Sequence, residues 1–137
     1  MRYLGLDLGK NSLGISLSDK TATVASFYKN IKCQDEDKLI LEIKDIVLKE
    51  NVSHIVLGLP KNMNNSFGER ALETIEFKEK LEKELKIEVI LEDERLTTKL
   101  AESVLIQADM SRKKRKKKID GVSAVVILQS YLDRKER

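Results

Sequence analysis

Arg2-Tyr3-Leu4-Gly5-Leu6-Asp7-Leu8-Gly9, then Lys10-Asn11-Ser12, then Leu13-Gly14-Ile15-Ser16-Leu17-Ser18: two runs with a two-residue apolar period flank a turn-forming segment. In the first run Leu4, Leu6 and Leu8 share one face of a strand, and Tyr3, Gly5 and Asp7 share the other. In the second, Leu13, Ile15 and Leu17 alternate with Gly14, Ser16 and Ser18. Thr23 to Ile31 reads as a third strand, so the chain opens with an antiparallel meander.

Downstream the period lengthens. Asp35 to Glu50 carries Leu39, Ile43, Ile46 and Val47 on one helical stripe, with acidic residues in its first turn. Ile55 to Leu59 reads as a short buried strand. Ser66-Phe67-Gly68-Glu69 has the form of a capping box and opens a helix running to about Leu85. Val89, Ile90 and Leu91 make another buried strand. Thr97 or Thr98 caps a further helix with Ala101, Val104, Leu105 and Ala108 inward, and Ile119 to Leu132 forms the last one. The order β-β-β-α-β-α-β-α-α predicts an α/β fold in one domain spanning 1–137. Its mixed five-stranded sheet, a three-strand antiparallel meander plus two parallel strands, is flanked by about four helices.

Composition narrows the chemistry. A 137-residue chain buries enough surface to fold without disulfides. One cysteine (Cys33) and one histidine (His54) exclude a disulfide framework and argue against a Cys/His zinc site; Cys33 reads as a plain thiol and His54 as a strand-end side chain. No signal peptide or membrane-spanning stretch is visible, so a cytoplasmic protein without membrane contact is expected. Arg112, Lys113, Lys114, Arg115, Lys116, Lys117 and Lys118 form an unbroken basic run. Of the 26 Lys and Arg these are seven; the other 19 face 23 Asp and Glu, a net of −4, so one positive segment sits on a slightly acidic domain. Such a segment suits a phosphate backbone, whose counterions it would release; the plain alternative is a solvated loop. Aromatic residues are only 4% with no Trp, which argues for recognition by shape and phosphate rather than by base stacking.

Three acids break the apolar pattern at element ends: Asp7 near the end of the first strand, Glu94 directly after the last, and Asp120 in the first turn of the last helix. Ala124, Ile127, Leu128 and Tyr131 follow Asp120 at helical spacing, so it sits on the packing face. Taken singly, Asp7 could accept hydrogen bonds from the turn, Glu94 could pair with a neighbouring cation, and Asp120 could cap its helix. Taken together, three converging carboxylates repel one another unless a divalent cation joins them. Two such ions can activate water against a phosphodiester. A second reading of Asp7-Leu8-Gly9-Lys10-Asn11 is the first phosphate loop of actin- and hexokinase-like ATPases, but those need two such domains, and no GxxxxGK[ST] loop is present.

Four segments in order resemble the YqgF/RuvX family of RNase H-like proteins, which includes Holliday-junction-resolvase-like proteins and pre-16S rRNA nucleases. They are Leu6-Asp7-Leu8-Gly9-Lys10 with Ser12 and Gly14; Gly58-Leu59-Pro60 through Asn62-Met63; Asp93-Glu94-Arg95-Leu96-Thr97-Thr98; and Lys118-Ile119-Asp120 with Ser123-Ala124 and Ile127-Leu128. The resemblance implies an RNase H-like fold, Mg²⁺ or Mn²⁺ dependence, and catalysis by Asp7, Glu94 and Asp120. It also implies that Arg95 and the loop beginning at Gly58, which carries Lys61, lie beside the scissile phosphate of a structured RNA, with trimming of the 5′ end of pre-16S rRNA as the role; Lys10 is a further candidate nucleic-acid contact. Branched DNA is the alternative substrate, with a resolvase activity calling for a homodimer rather than a monomer. A binding-only ribosome assembly factor is the reading outside enzymes. Two departures bear on this. Ser123 and Ala124 stand where junction resolvases carry a further carboxylate one turn beyond the helix acid, which favours RNA processing. Asn62-Met63-Asn64-Asn65 stands where the family pattern has Met-Asp-Gly.

Overall fold

A computed structural model describes residues 2–9, 12–32, 35–59, 68–93 and 112–135. The expected strands pair in the order β3-β2-β1-β4-β5, with β1 (Arg2–Leu8), β2 (Ser12–Ser18), β3 (Ala25–Lys32), β4 (Val52–Leu59) and β5 (Val89–Asp93). The β1–β2 and β2–β3 pairs are antiparallel; β1–β4 and β4–β5 are parallel, so the sheet is mixed as the alternation of local and crossover connections requires. Three helices lie among the described residues: α1 (Glu36–Glu50), α2 (Glu69–Leu85) and α3 (Arg112–Lys135). The helix expected from Thr97 or Thr98 to Ala108 falls outside them, as do Cys33, Lys10, Lys61, Glu94 and Arg95.

The two faces of β1 separate two cores. Leu4 and Leu6 pack with Leu13, Ile15, Ile43, Ile55, Leu57, Phe77 and Leu81 under α1 and α2. Tyr3 packs with Ala25, Val56, Ile127, Leu128 and Leu132 under α3. A central strand buried on both faces still alternates here, because one face takes aliphatics and the other takes small or ring-bearing residues.

Local chemistry sets the boundaries. The N–H of Gly9 donates to the Ser12 carbonyl at 2.8 Å and closes the β1–β2 turn. The Asp19 carboxylate accepts from the Thr21 hydroxyl (2.7 Å) and from the N–H groups of Thr23 (2.8 Å) and Val24 (3.1 Å). Those donors are thereby committed to a turn, which is why β3 starts at Ala25 and not at Thr23. Helix α1 is capped by the Asp35 side chain accepting from the Asp37 N–H, and it ends at Asn51 in the left-handed region (φ 58°).

Other boundaries also differ from the sequence reading. Strand β4 begins at Val52 rather than Ile55, because Val52 pairs with Arg2 and the Ser53 hydroxyl donates to the Arg2 carbonyl at 3.2 Å. Helix α2 begins at Glu69 with Gly68 as its N-cap, while Ser66 and Phe67 of the expected capping box lie outside the described residues. Helix α3 begins at Arg112, so the basic run is the first two turns of the last helix rather than a loop before Ile119. Lys and Arg are good helix formers, and here that propensity outweighs their mutual repulsion.

Candidate active site

Strands β1, β4 and β5 run in parallel and finish at one edge of the sheet. Asp7 stands there on the α3 face, since Tyr3 and Gly5 of the same face both meet α3. It is opposite Gly14 of β2, and Leu6 pairs with Leu57, the residue before Gly58. Gly58 in turn pairs with Glu92, and Leu59 with Asp93, after which Glu94 follows directly in the chain.

The approach of α3 is fixed at Gly5. A Cβ at this position would overlap Ser16 Oγ and lie 2.7 Å from Leu128 Cβ and 3.0 Å from the Ala124 carbonyl oxygen. The strand glycine therefore lets the helix backbone come close, and the buried Ser16 hydroxyl donates to that Ala124 carbonyl at 2.7 Å. Farther along, the Tyr131 ring lies 5.8 Å from the ring of Tyr3. Helix α3 thus runs antiparallel to β1, from Ala124 at Gly5 to Tyr131 at Tyr3. Asp120 is one turn before Ala124, and the backbone from Arg112 to Ala124 extends about 18 Å in the direction of Asp7. The basic run therefore continues past the end of β1, on the side where the parallel strands finish.

Of the sequence-predicted residues, Asp7 and Gly58 are at this edge and Asp120 is on the helix that approaches it. Glu94 and the Asp120 side chain lie outside the described residues, and among the described residues no three His, Cys, Asp or Glu side chains cluster as a metal set. His54 is inside β4, stacked on Tyr3 at 4.8 Å with Nδ1 3.0 Å from Ser53 Oγ. Tyr3 is four residues from Asp7, about 13 Å along the strand, so His54 belongs to packing.

Two charged groups at or near the site escaped the sequence reading. Glu92, only 3% exposed, receives both arms of the Arg134 guanidinium at 2.6 Å each, tying the end of β5 to the end of α3. That guanidinium also lies 5.9 Å from the centre of the Tyr131 ring, whose hydroxyl pKa is raised mainly by burial and further by Tyr3 and Glu88. The partner of Glu92 is 42 residues away and no local pattern announces it. The second is Arg70, exposed in the first turn of α2, whose Nη2 donates to the Leu8 carbonyl at 3.2 Å. Its signal was a cation placed at the positive end of a helix.

The fold recurs in solved structures of low sequence similarity. Thermus thermophilus RuvC in complex with a Holliday junction substrate superposes with a TM-score of 0.66 at 12% identity, covering 99% of this chain and 96% of that one. The fowlpox virus resolvase in complex with Holliday junction DNA gives 0.65 at 15% identity, with complete coverage of both. The architecture is accordingly RNase H-like. Curated relatives are much nearer in sequence. A Caldanaerobacter subterraneus subsp. tengcongensis protein named "Putative pre-16S rRNA nuclease" is 48% identical over 134 residues, 97% of this chain and 96% of its own. A Listeria monocytogenes serotype 4b protein of the same name is 46% identical over 135 residues, 97% of this chain and 98% of its own. The family model for RuvX, described as Holliday junction resolvase, matches residues 1–134, and with these relatives it shows that the chain belongs to the RuvX family.

Proposed function

We propose that this protein is a cytoplasmic, divalent-metal-dependent nuclease that hydrolyses phosphodiester bonds in the 5′ region of pre-16S ribosomal RNA. The observation that carries the reading is the position of Asp7 at the carboxyl edge of the parallel strands, on the face along which α3 advances with Asp120 one turn before its contact at Gly5. Glu94, next after β5, completes a set drawn from three separate elements. Hard carboxylate oxygens suit Mg²⁺ or Mn²⁺. When bound, such ions supply Lewis-acid activation of water and of the leaving oxygen.

The chain's own residues do the rest. Asp7 keeps an anionic oxygen at a fixed place because it extends from a strand paired on both sides. Lys10, Lys61 and Arg95, with the loop from Gly58, hold the phosphates flanking the scissile one. The helical run Arg112–Lys118 grips the backbone farther out. Hydrolysis then breaks one P–O bond, the water oxygen joins phosphorus, and its proton passes to solvent or to the leaving oxygen.

The second reading is a junction resolvase acting as a homodimer; its support is the shared architecture with the two junction-bound resolvases. One assay divides them: pre-16S fragments and a four-way DNA junction are each incubated with Mn²⁺ or EDTA, using wild type and Asp7→Asn. RNA cleavage that needs both metal and Asp7 is the expected result. Junction cleavage alone would establish the resolvase. Tight binding with no cleavage of either would leave a binding-only assembly factor and overturn the enzyme reading.

A further inference from the structure

We infer that Arg70 is a substrate-binding residue that contacts a phosphate of the RNA strand lying across the ends of β1 and β4; this rests on the nuclease reading. Two observations carry it. The first is local cost. Arg70 follows Glu69, the first residue of α2, and a cation in the first turn adds to the positive end of the helix dipole instead of opposing it. Residues that break a local rule without a local gain mark places where something else is selected.

The second is geometry. The Arg70 guanidinium does not lie back along α2. It reaches across to the Leu8 carbonyl, one residue beyond Asp7, and bonds it with a single Nη2–H at 3.2 Å. The backbone of Arg70 is held in turn, its carbonyl accepting from the Thr74 hydroxyl at 2.8 Å, and the next residue, Ala71, is fully buried. An arginine has five N–H donors in a rigid fork. Among the described residues one of them is used, and the side chain is exposed. A neutral carbonyl orients the fork without neutralising it. The guanidinium is therefore held at the end of β1 with its charge not neutralised there, and its fork suits bidentate recognition of a phosphate diester. Arg70 comes from the face of the sheet that carries α1 and α2, opposite to the basic run on α3. The two cationic elements would thus hold the strand from both sides of the sheet edge.

The test is binding without cleavage. Wild type, Arg70→Gln and Arg70→Lys are titrated into a labelled pre-16S fragment in EDTA, and log K is plotted against log salt. Melting temperature and Mn²⁺ affinity are measured alongside. Arg70→Gln is expected to weaken binding about tenfold and to lower the salt slope by about 0.7 to 0.9, the release accompanying one phosphate contact. Arg70→Lys should keep the slope and lose only part of the affinity. An unchanged slope in Arg70→Gln, with a lowered melting temperature, would overturn the inference and make Arg70 a latch between α2 and β1. A slope lost equally in Arg70→Lys would overturn it as well, because the charge would then not be what acts. Tighter Mn²⁺ binding in Arg70→Gln with an unchanged slope would mean that the guanidinium serves the carboxylates and not the RNA. Because no arm needs turnover, a protein that cuts nothing with any metal would end the nuclease reading while leaving this result separately readable.

Discussion

Replacing Gly5 with alanine puts one methyl group where the structure has none to spare. The new Cβ would overlap the Ser16 hydroxyl and press on Leu128 Cβ at 2.7 Å and the Ala124 carbonyl at 3.0 Å. Two of these neighbours belong to the α3 helix and cannot rotate away. The third, Ser16 Oγ, can move only by giving up its buried 2.7 Å bond to Ala124. Losing that bond costs about 1 to 3 kcal/mol, and overpacking a closed contact costs about 1 to 3 kcal/mol more. The sum, about 2 to 6 kcal/mol, corresponds to a fall in Tm on the order of 8 to 24 °C for a domain of this size. Urea denaturation followed by circular dichroism measures it directly, with an unchanged m-value showing that the loss lies in stability and not in compactness. Adding Ser16→Ala to Gly5→Ala should recover about 1 kcal/mol, since one overlapping atom is removed. A loss below about 0.5 kcal/mol for Gly5→Ala would refute the claim that α3 is seated on the strand backbone at this point.

Arg134→Met leaves the Glu92 carboxylate buried without its two charge-assisted bonds, and should cost about 2 kcal/mol in the same denaturation assay; the figure is kept modest because the arginine side chain is 61% exposed and water can replace part of it. Adding Glu92→Leu should restore most of the loss, and a second loss of equal size would show that the pair is not coupled. The Asp19 carboxyl has its pKa lowered from 3.8 to about 2, first by the Thr21 hydroxyl and then by the N–H groups of Thr23 and Val24. A depressed folded-state value means that its contribution is present above pH 3.8 and is lost as pH falls toward about 2, so the Tm difference between wild type and Asp19→Ala should shrink over that window. A constant difference across it would refute the assignment. In the proposed metal set, Mn²⁺ should raise the Tm of wild type and not of Asp7→Asn, while in EDTA the variant should melt no lower than wild type because one repulsive charge is gone. A large drop in EDTA would make Asp7 structural.

The meander and the stripe of α1 were legible because strict periods of two and of about 3.6 survive in the residues themselves: Leu4 and Leu6 against Tyr3 and Asp7, and Leu39, Ile43 and Ile46 along α1. What periodicity does not carry was not legible. Val52 and Ser53 lie ahead of the apolar run from Ile55 to Leu59, and only the Arg2–Val52 pairing and the Ser53 bond to the Arg2 carbonyl explain why β4 includes them. Seven consecutive basic residues have no apolar stripe, so the first turns of α3 were invisible although helix propensity favours them. Of the candidate site, Asp7 and Asp120 stood out as polar residues on apolar faces. Gly5 did not, because a strand glycine acquires meaning only from the helix that lies on it. Glu92 did not either, since its charge is answered from the far end of the chain.

The bond between Ser16 and Ala124 joins residues 108 apart, whereas the first three strands pair with their immediate neighbours in sequence. That difference sets an order of events during synthesis, when chains fold from the N-terminus as they are made. The meander can close early, and α1 and α2 can cover one face of the sheet as soon as β4 and β5 are in place. Among the described residues the other face, with Tyr3, Ala25 and Val56, is covered by Ile127, Leu128 and Leu132 of α3, which are added late in synthesis. Asp120 travels on the element that supplies that cover. A nascent chain would therefore be two-thirds assembled in its proposed acids and unable to use them, and completion of the second core and completion of the metal site would be one and the same step.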